Sequence, residues 1–240
     1  MNPLLSIVAI LPGLIIAFLI YRTDKFEKET PWPLILSYFF GMFLTLPSMY
    51  MEGLGTSLGW EESNNLLFLF LFSTLIVGFS EEITKYLGLL FFPYTQRFFN
   101  EPMDGIIYAV MIGMGFATLE NLLYADRYGL DTVLVRAFTA VPAHGVFAII
   151  SGYYVGLAKF TPSRRITYLL LGILLPVLLH GIYDFFILQN HFEWMMSFAT
   201  LTVLFCGYWS WVLIKKHQSI SPFRDSDFDT PLEKEEFPKV

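Results

Sequence analysis

Seven apolar stretches, each long enough to cross a lipid bilayer, constrain the fold of this chain more than any other feature. They lie near residues 4–21, 31–51, 66–92, 103–126, 132–158, 166–188 and 194–214. About 20 apolar residues in an α-helix span the hydrocarbon core of a membrane. Because lipid offers the backbone no hydrogen-bond partner, each stretch must be helical. The sequence therefore predicts an all-α, polytopic transmembrane bundle of about seven spans.

The composition argues against a soluble domain. Of the 240 residues, 55% are hydrophobic and only 15% are charged, whereas soluble proteins carry about 25% charged residues. The excess apolar surface must face lipid, so the bilayer is the first expected partner. The single Cys206 excludes a disulfide framework within one chain. The net charge of −6 gives no reason to expect nucleic acid as a partner.

The basic residues predict how the chain is oriented. Twelve of the 15 Lys and Arg residues fall in the first, third and fifth loops and the tail, while the opposite side has only Arg127. Cytoplasmic loops collect Lys and Arg, so we expect the N-terminus outside and the C-terminus in the cytoplasm. The first apolar stretch has its basic residues after it, unlike a cleaved signal peptide, and is interpreted as a retained span. Residues 1–214 are expected to form one helical domain and residues 215–240 a disordered acidic tail.

Ionisable residues inside the predicted spans are the second constraint. A central Asp, Lys or Arg costs about 2.5–3.5 kcal/mol on insertion scales, so several of them are tolerable only if they face one another or a wet cavity. The third to sixth spans contain Glu81, Glu82, Lys85, Glu120, Arg136, His144, His180 and Asp184. Four consecutive helices are therefore predicted to share one buried polar site.

The spacing of these residues supports a shared site. Glu81 and Lys85 are four residues apart and lie on one helical face, where they can pair. His180 and Asp184 have the same spacing, so Asp184 can accept a proton from His180 and fix its tautomer. Alternatively, both side chains approach one metal ion or substrate. Lys85 is expected to act mainly as the counter-charge of Glu81 or Glu82.

Other charged residues are expected to have ordinary structural roles. Arg136 lies near the outer interface, where a long side chain can extend toward the headgroups. Asp104 begins the fourth span, where a carboxylate suits the helix dipole. Glu52, Glu61 and Glu62 are expected to be solvated in an outer loop.

Two kinds of hydrolytic chemistry fit the buried residues. A buried glutamate can act as a general base toward water, while histidines polarise that water or donate to an oxyanion. Glutamate and histidine are also zinc ligands, and a catalytic zinc has three protein ligands and one open position. Glu120, His144 and His180 are candidates for such a triplet, with Glu81 or Glu82 as the base. No HExxH motif is present, so Zn²⁺ is only a candidate cofactor.

Two alternative functions use the same residues. Chains of Asp, Glu and His also mark proton relays, so a proton-coupled transporter is the main alternative, although no inverted repeat is visible. A haem with His144 and His180 as axial ligands, or a retinal on Lys85, would leave the glutamates unexplained. No haem, flavin or nucleotide is therefore expected.

The order of the motifs resembles the PrsW family of bacterial intramembrane proteases, which belongs with the CAAX prenyl endopeptidases and Abi proteins. The resemblance covers about residues 66–190. It rests on Glu-Glu-x-x-Lys (Glu81, Glu82, Lys85), Phe-x-x-x-Glu-Asn (Phe116, Glu120, Asn121), an isolated His144 followed by Phe147, and His-x-x-x-Asp (His180, Asp184).

The resemblance implies a specific activity and location. PrsW proteins make the first, outer-side cut in a membrane-spanning anti-sigma factor. A single-pass membrane protein is thus the implied substrate, and the bacterial cytoplasmic membrane is the implied location. In the CAAX relatives the paired glutamates supply the water-activating base and the later histidine motif stabilises the oxyanion. Carried onto this chain, Glu81 is the base with Glu82 beside it, and His180 and Asp184 take the oxyanion or ligand role. Lys85 and Asn121 support them.

This chain departs from the CAAX pattern at two positions. CAAX enzymes typically show Glu-Glu-x-x-x-Arg and Phe-x-x-x-His, whereas the corresponding residues here are Lys85 and Glu120. A histidine that assists the base would have to be His144. The departures favour a PrsW protease over a CAAX-processing enzyme. They leave metal dependence open, because the family is classed with metallopeptidases while CAAX relatives have been argued to need no metal.

Overall fold

A computed structural model describes residues 3–61 and 63–224, and the regular structure within them is entirely helical. The α-helices are α1 (Pro3–Tyr21), α2 (Pro31–Ser57), α3 (Leu66–Phe72), α4 (Phe79–Phe91), α5 (Pro102–Tyr128), α6 (Leu130–Phe138), α7 (Ala140–Phe160), α8 (Arg165–Leu188) and α9 (Met196–Ser219). A π-helical segment, Ser73–Gly78, joins α3 to α4. Short 3₁₀ turns lie at Pro93–Thr95, Pro162–Arg164 and Glu193–Met195.

Seven helical segments within the described residues are long and apolar enough to cross a membrane, which confirms the predicted all-α fold of about seven spans. They are Pro3–Tyr21, Pro31–Ser57, Leu66–Thr95, Pro102–Tyr128, Leu130–Phe160, Pro162–Leu188 and Glu193–Ser219. The second helix continues six residues past its expected end at 51, and the last continues five past 214, because helices extend beyond their most apolar stretch. Residues 225–240 of the predicted tail, and Glu62, lie outside the described residues.

Helix α5 is the centre of the bundle. Every residue from Pro102 to Thr118 is buried, and the helix packs against α1, α2 and α7. The peripheral helices instead expose large apolar side chains, including Phe39, Phe43 and Leu204, which are 60–64% exposed. Apolar side chains exposed in this way suit contact with lipid tails.

Glycines allow α5 and α7 to approach backbone to backbone. A Cβ atom on Gly105 would lie 2.3 Å from the carbonyl oxygen of Gly152, and one on Gly152 would lie 2.2 Å from that of Gly105. Small residues at such crossings are typical of membrane helices, whose association depends on close packing. This contact fixes α7, which carries His144, against α5, which carries Glu120.

The fifth span is broken into two helices. Helix α6 ends at Phe138, Thr139 has a non-helical backbone (φ −122°, ψ −75°), and α7 begins at Ala140. Pro142 lies in the first turn of α7, where a missing backbone N–H is tolerated. Arg136, in α6, lies 2.7 Å from Glu120 with a side chain 13% exposed, so its prediction as a side chain that extends toward the headgroups is wrong.

Candidate active site

The ionisable side chains of the third to sixth spans meet in one buried cluster. Glu81, Glu82 and Lys85 come from α4, His144 from α7 and His180 from α8, and each is at most 7% exposed. The rings of His144 and His180 contact each other edge to face, with their centroids 5.4 Å apart. The predicted convergence of these groups is therefore present in the structure.

Glu82 is held by two proton donors. Lys85 Nζ lies 2.6 Å from Glu82 Oε1, and His180 Nδ1 lies 2.7 Å from the same oxygen. With Nδ1–H of His180 donating to Glu82, Nε2 is left facing Asp184 Oδ2 at 3.2 Å and Glu81 Oε2 at 3.9 Å. Glu82 thus fixes the orientation of His180, in the way that carboxylates orient metal-binding or catalytic histidines.

His144 is held by a second carboxylate, from α5. Its Nε2 lies 2.9 Å from Glu120 Oε2, and the same oxygen lies 2.7 Å from the guanidinium of Arg136. Arg136 Nε donates to Asn121 Oδ1 at 3.1 Å, and Asn121 Nδ2 donates to the carbonyl of Ala9 in α1. This chain of contacts ties four helices together and leaves His144 Nδ1 pointing toward the cluster.

Glu81 is the residue on which both histidines converge. Its Oε2 is shielded from solvent and accepts no hydrogen bond from the described residues. Lys85 Nζ, His144 Nδ1 and His180 Nε2 surround it at 3.6, 3.7 and 3.9 Å. These distances exceed hydrogen-bond length. A small group bound between Glu81 and the two imidazoles accounts for these distances better than direct hydrogen bonds do.

The residues at this point fit a zinc ion. Glu81, His144 and His180 each offer one ligand atom, and these atoms all lie within 4.8 Å of one another. Each imidazole has its other nitrogen against a carboxylate, Glu120 or Glu82, an arrangement characteristic of zinc-binding histidines. The set differs from the predicted triplet, because Glu81 takes the place given to Glu120, which binds Arg136 instead.

The backbone of the third span has an irregular segment just before the paired glutamates. The π-helical segment Ser73–Gly78 packs on α8, where Ser73 Oγ donates to the carbonyl of Gly181 at 3.0 Å. A Cβ atom on Gly181 would lie 2.2 Å from Thr74 Oγ1. Isolated π-helical turns are frequent at functional sites. Here the segment sets α4 against α8, and so Glu82 against His180.

Two phenylalanines complete the cluster walls. Phe116 lies under Lys85, whose Nζ is 4.6 Å from the ring centroid, and contacts the ring of His144. Phe147 stacks beside His180, with 5.4 Å between ring centroids. The spacing of Phe116 and Glu120 therefore places both residues on the side of α5 that faces His144.

Two residues that were expected from the sequence to have ordinary structural roles lie in the site. Arg136 pairs with Glu120 and lies 3.8 Å above the ring of Tyr124. Glu52 was expected to be solvated, and this is wrong: it belongs to α2, accepts a hydrogen bond from Ser48 Oγ at 3.1 Å, and interacts electrostatically with Glu120, His180 and Asp184. Ser48 lies four residues before Glu52, a spacing that puts both side chains on one helical face. This spacing is the sequence feature that could have indicated that Glu52 belongs to the helix.

Comparison with known proteins shows to which family this chain belongs. Residues 29–212 match the family model described as "PrsW family intramembrane metalloprotease". The chain belongs to the PrsW family. It is 36% identical over 185 residues to the Protease PrsW of Geobacillus kaustophilus, covering 75% of this chain and 77% of that protein. It is 34% identical over 192 residues to that of Bacillus subtilis, covering 79% and 86%. No solved structure matches the chain.

Membership of the PrsW family decides between the functions that the sequence allowed. The protein is a multi-pass membrane peptidase, and the family favours this function over a proton-coupled transporter. Homologues named Protease PrsW align with most of the chain, including the protein of Halalkalibacterium halodurans, which is 34% identical over 208 residues and matched over 93% of its length.

Proposed function

We propose that this PrsW-family protein hydrolyses a peptide bond within a single-pass membrane protein, using water activated at Glu81. The observation that carries the proposal is the solvent-shielded Oε2 of Glu81, which accepts no hydrogen bond from the described residues and has two oriented imidazoles around it. A carboxylate that accepts no other hydrogen bond is free to take a proton from water. Glu82 lacks that freedom because Lys85 and His180 donate to it.

His180 and Asp184 are proposed to stabilise the charge that develops on the scissile carbonyl oxygen. His180 Nε2 faces both Glu81 and Asp184, and Asp184 is the more exposed of the pair, with a side chain 17% accessible. Without a bound metal, this role requires His180 as an imidazolium, with Nδ1–H donating to Glu82 and Nε2–H donating to the oxyanion. Removing one such donor typically costs about 10²–10³ in rate.

His144 and Lys85 are proposed to position Glu81. Lys85 Nζ lies 3.1 Å from His144 Nδ1 and 3.6 Å from Glu81 Oε2. The site combines the carboxylates of Glu52, Glu81, Glu82, Glu120 and Asp184 with two basic residues, Lys85 and Arg136. Because unbalanced buried charge is costly, an additional cation would suit this set.

Zinc is the cation that the donor set supports best, with Glu81, His144 and His180 as the residues that would hold it. Binding through His144 Nδ1 would replace the 3.1 Å contact of that nitrogen with Lys85. A bound zinc lowers the pKa of water and polarises a carbonyl. Glu82 and Glu120 would then act through the histidines, by fixing which ring nitrogen carries the proton. Glu81 is required whether it binds the metal or accepts the proton of water.

The substrate class and cellular location follow from the same proposal. A site buried among four spans is suited to a peptide that enters from the bilayer, so the proposed substrate is a membrane-spanning protein of the anti-sigma-factor type. The bacterial cytoplasmic membrane is the proposed location, with the N-terminus outside, as the distribution of Lys and Arg indicates. Residues 1–214 form the proposed protease domain, which contains the matched region 29–212.

The test is cleavage of a single-pass reporter by the purified full-length chain in proteoliposomes. Replacing the base should lower the rate by about 10²–10⁴-fold, so Glu81→Gln is expected to be inactive while remaining folded. Glu193→Gln, at an exposed glutamate, is the matched control and should cleave at the wild-type rate. Near-wild-type cleavage by Glu81→Gln would refute the proposal.

Metal dependence is tested separately on the same preparation. Removal of metal with 1,10-phenanthroline should stop cleavage, and Zn²⁺ should restore it. Elemental analysis should find zinc in the wild-type protein and less than a tenth as much in His144→Ala. Full activity with no bound metal would leave Glu81 as a metal-independent base and rule out the zinc role.

A further inference from the structure

A second cluster of acidic residues lies far from the active site, at the start of α5. Asp24, Glu27 and Glu29 come from the connection between α1 and α2, and Glu101 and Asp104 from the beginning of α5. Asp104 and Glu120 are separated by sixteen residues of one helix, which corresponds to about 24 Å. The two clusters are therefore distinct sites.

Three of these carboxylates converge on one point. Glu27, Glu29 and Asp104 each offer one oxygen, and these oxygens all lie within 4.8 Å of one another. Glu29 and Asp104 are at most 4% exposed. Carboxylates so close together repel one another when ionised, and this separation is within the span that one hard cation can bridge, about 5 Å between opposite ligands of Ca²⁺.

Each of the three carboxylates is fixed through one oxygen and unpaired at the other. Asp104 Oδ2 accepts from the backbone N–H groups of Asn100 and Glu101, at 2.7 and 2.8 Å. Glu29 Oε2 accepts from the hydroxyl of Tyr108, and Glu27 Oε1 from Asn100 Nδ2 at 3.3 Å. The remaining oxygens, Glu27 Oε2, Glu29 Oε1 and Asp104 Oδ1, are shielded from solvent and accept no hydrogen bond from another described residue. With no cation bound, Glu29 and Asp104 are close enough to share a proton.

Lys28 and Lys159 interact electrostatically with Asp24 and Asp104, but neither lysine forms an ion pair with the cluster. Within the described part of the chain, no Lys or Arg nitrogen lies within 4.0 Å of these carboxylates, since the ion pairs all belong to the active site. Lys28 Nζ donates to the carbonyl of Tyr21, and Lys159 Nζ to the carbonyls of Tyr94 and Gln96. Buried carboxylates without a counter-charge are costly.

We propose that Glu27, Glu29 and Asp104 bind one hard divalent cation of the Ca²⁺ and Mg²⁺ class. The ligands are all carboxylate oxygens, which such ions prefer over the nitrogen ligands of the active site. Bound there, the cation joins the connection between α1 and α2 to the first turn of α5. The site is structural, and it is separate from the zinc position proposed at Glu81.

The experiment measures thermal unfolding of the full-length chain in detergent after treatment with EDTA. Ca²⁺ and Mg²⁺ are titrated in separate arms, each as the chloride salt at constant ionic strength. A cation that binds only the folded protein raises the unfolding temperature as its concentration increases. We expect saturable stabilisation by at least one ion, and the arm with the lower half-saturation concentration identifies the preferred ion.

Variants connect the effect to these residues. Glu27→Gln changes a residue of a connecting segment, where folding is least at risk. It should raise the half-saturation concentration at least tenfold, because even the loss of a residue that only orients a metal ligand weakens binding by about 10–100-fold. Glu29→Gln keeps an oxygen that can accept the hydrogen bond from Tyr108, and it should also raise the half-saturation concentration at least tenfold. The matched control Glu193→Gln and the active-site variant His144→Ala should keep the wild-type response.

Two outcomes would overturn the proposal. One is an unfolding temperature that neither Ca²⁺ nor Mg²⁺ changes at up to about 10 mM, which is tenfold above the dissociation constants of weak protein sites, about 1 mM; in that case the carboxylates share protons instead. The other is equal stabilisation of wild type, Glu27→Gln and Glu29→Gln, which would place the binding elsewhere.

Discussion

Substitution of Gly181 tests how precisely α8 must sit against the third span. A methyl group on this residue would lie 2.2 Å from Thr74 Oγ1 and 2.6 Å from Thr74 Cα. Because carbon atoms pack about 3.5–4.0 Å apart, Gly181→Ala must move α8 away from the π-helical segment by about 1 Å. His180, the preceding residue, moves with it, and its 2.7 Å contact with Glu82 lengthens to beyond hydrogen-bond range.

The expected result is a folded but slow enzyme. A misplacement of about 1 Å in an active site costs roughly 100-fold in rate, while overpacking costs about 1–3 kcal/mol of stability. Cleavage of the reporter in proteoliposomes, measured beside thermal unfolding, separates the two effects. We expect the loss of rate to exceed what the fraction of unfolded protein explains.

Gly207→Ala is the matched control for this substitution. It lies in α9, where the nearest heavy atom to an added Cβ is Val146 Cγ1 at 4.0 Å, so its rate should be unchanged. Its stability should be unchanged or higher by up to about 1 kcal/mol, since alanine favours a helix over glycine. If Gly181→Ala cleaves at the rate of Gly207→Ala, the contact between α8 and the π-helical segment does not position His180, and the proposed role of that segment is wrong.

Three further variants test the residues around Glu120 and Asp184. Asn121→Ala removes the partner of Arg136 Nε and should lower the cleavage rate by about 10–100-fold, as the loss of a residue that orients site residues typically does; an unchanged rate would show that Asn121 does not contribute to the site. Arg136→Lys keeps the charge but cannot contact Glu120, Asn121 and the Tyr124 ring together; we expect a similar loss, and full activity would show that charge alone suffices. Glu52→Gln keeps an acceptor for Ser48 but removes a charge near His180; it should change the pH profile of cleavage with less than about a tenfold loss of rate, and an unchanged profile would exclude Glu52 from the site.

The spans and most of the site were predictable from sequence for a physical reason. Lipid excludes both unpaired backbone groups and isolated charges. Long apolar stretches therefore had to be helices, and Glu81, His144 and His180 had to face one another. The four-residue spacing of His180 and Asp184 predicted their contact, which is 3.2 Å in the structure.

The features that were missed depend on local backbone geometry or on position near an interface. Arg136 was expected to face headgroups because the break at Thr139 is not evident in a continuous apolar stretch. The π-helical segment Ser73–Gly78 has no distinctive sequence, since its residues are equally compatible with an α-helix. Glu52 was misassigned because α2 continues beyond its most apolar part.

The acidic cluster at the start of α5 was not predicted either. Its members come from a connection and a helix start, where carboxylates are ordinarily solvated. Only the fold shows that Glu29 and Asp104 are buried together. Asp104 does occupy the N-terminal turn of α5, as predicted, and it forms a capping box with Glu101.

The claim that the buried groups act as one catalytic unit is tested most directly by the cleavage rate of the double variant Glu81→Gln/His180→Ala. Glu81→Gln alone is expected to lower the rate by about 10²–10⁴-fold, and His180→Ala alone by about 10²–10³-fold. If Glu81 and His180 serve the same reacting water, the double variant should be no slower than the slower single variant. Losses that multiply in the double variant would mean that the two residues contribute independently, and would contradict a shared site.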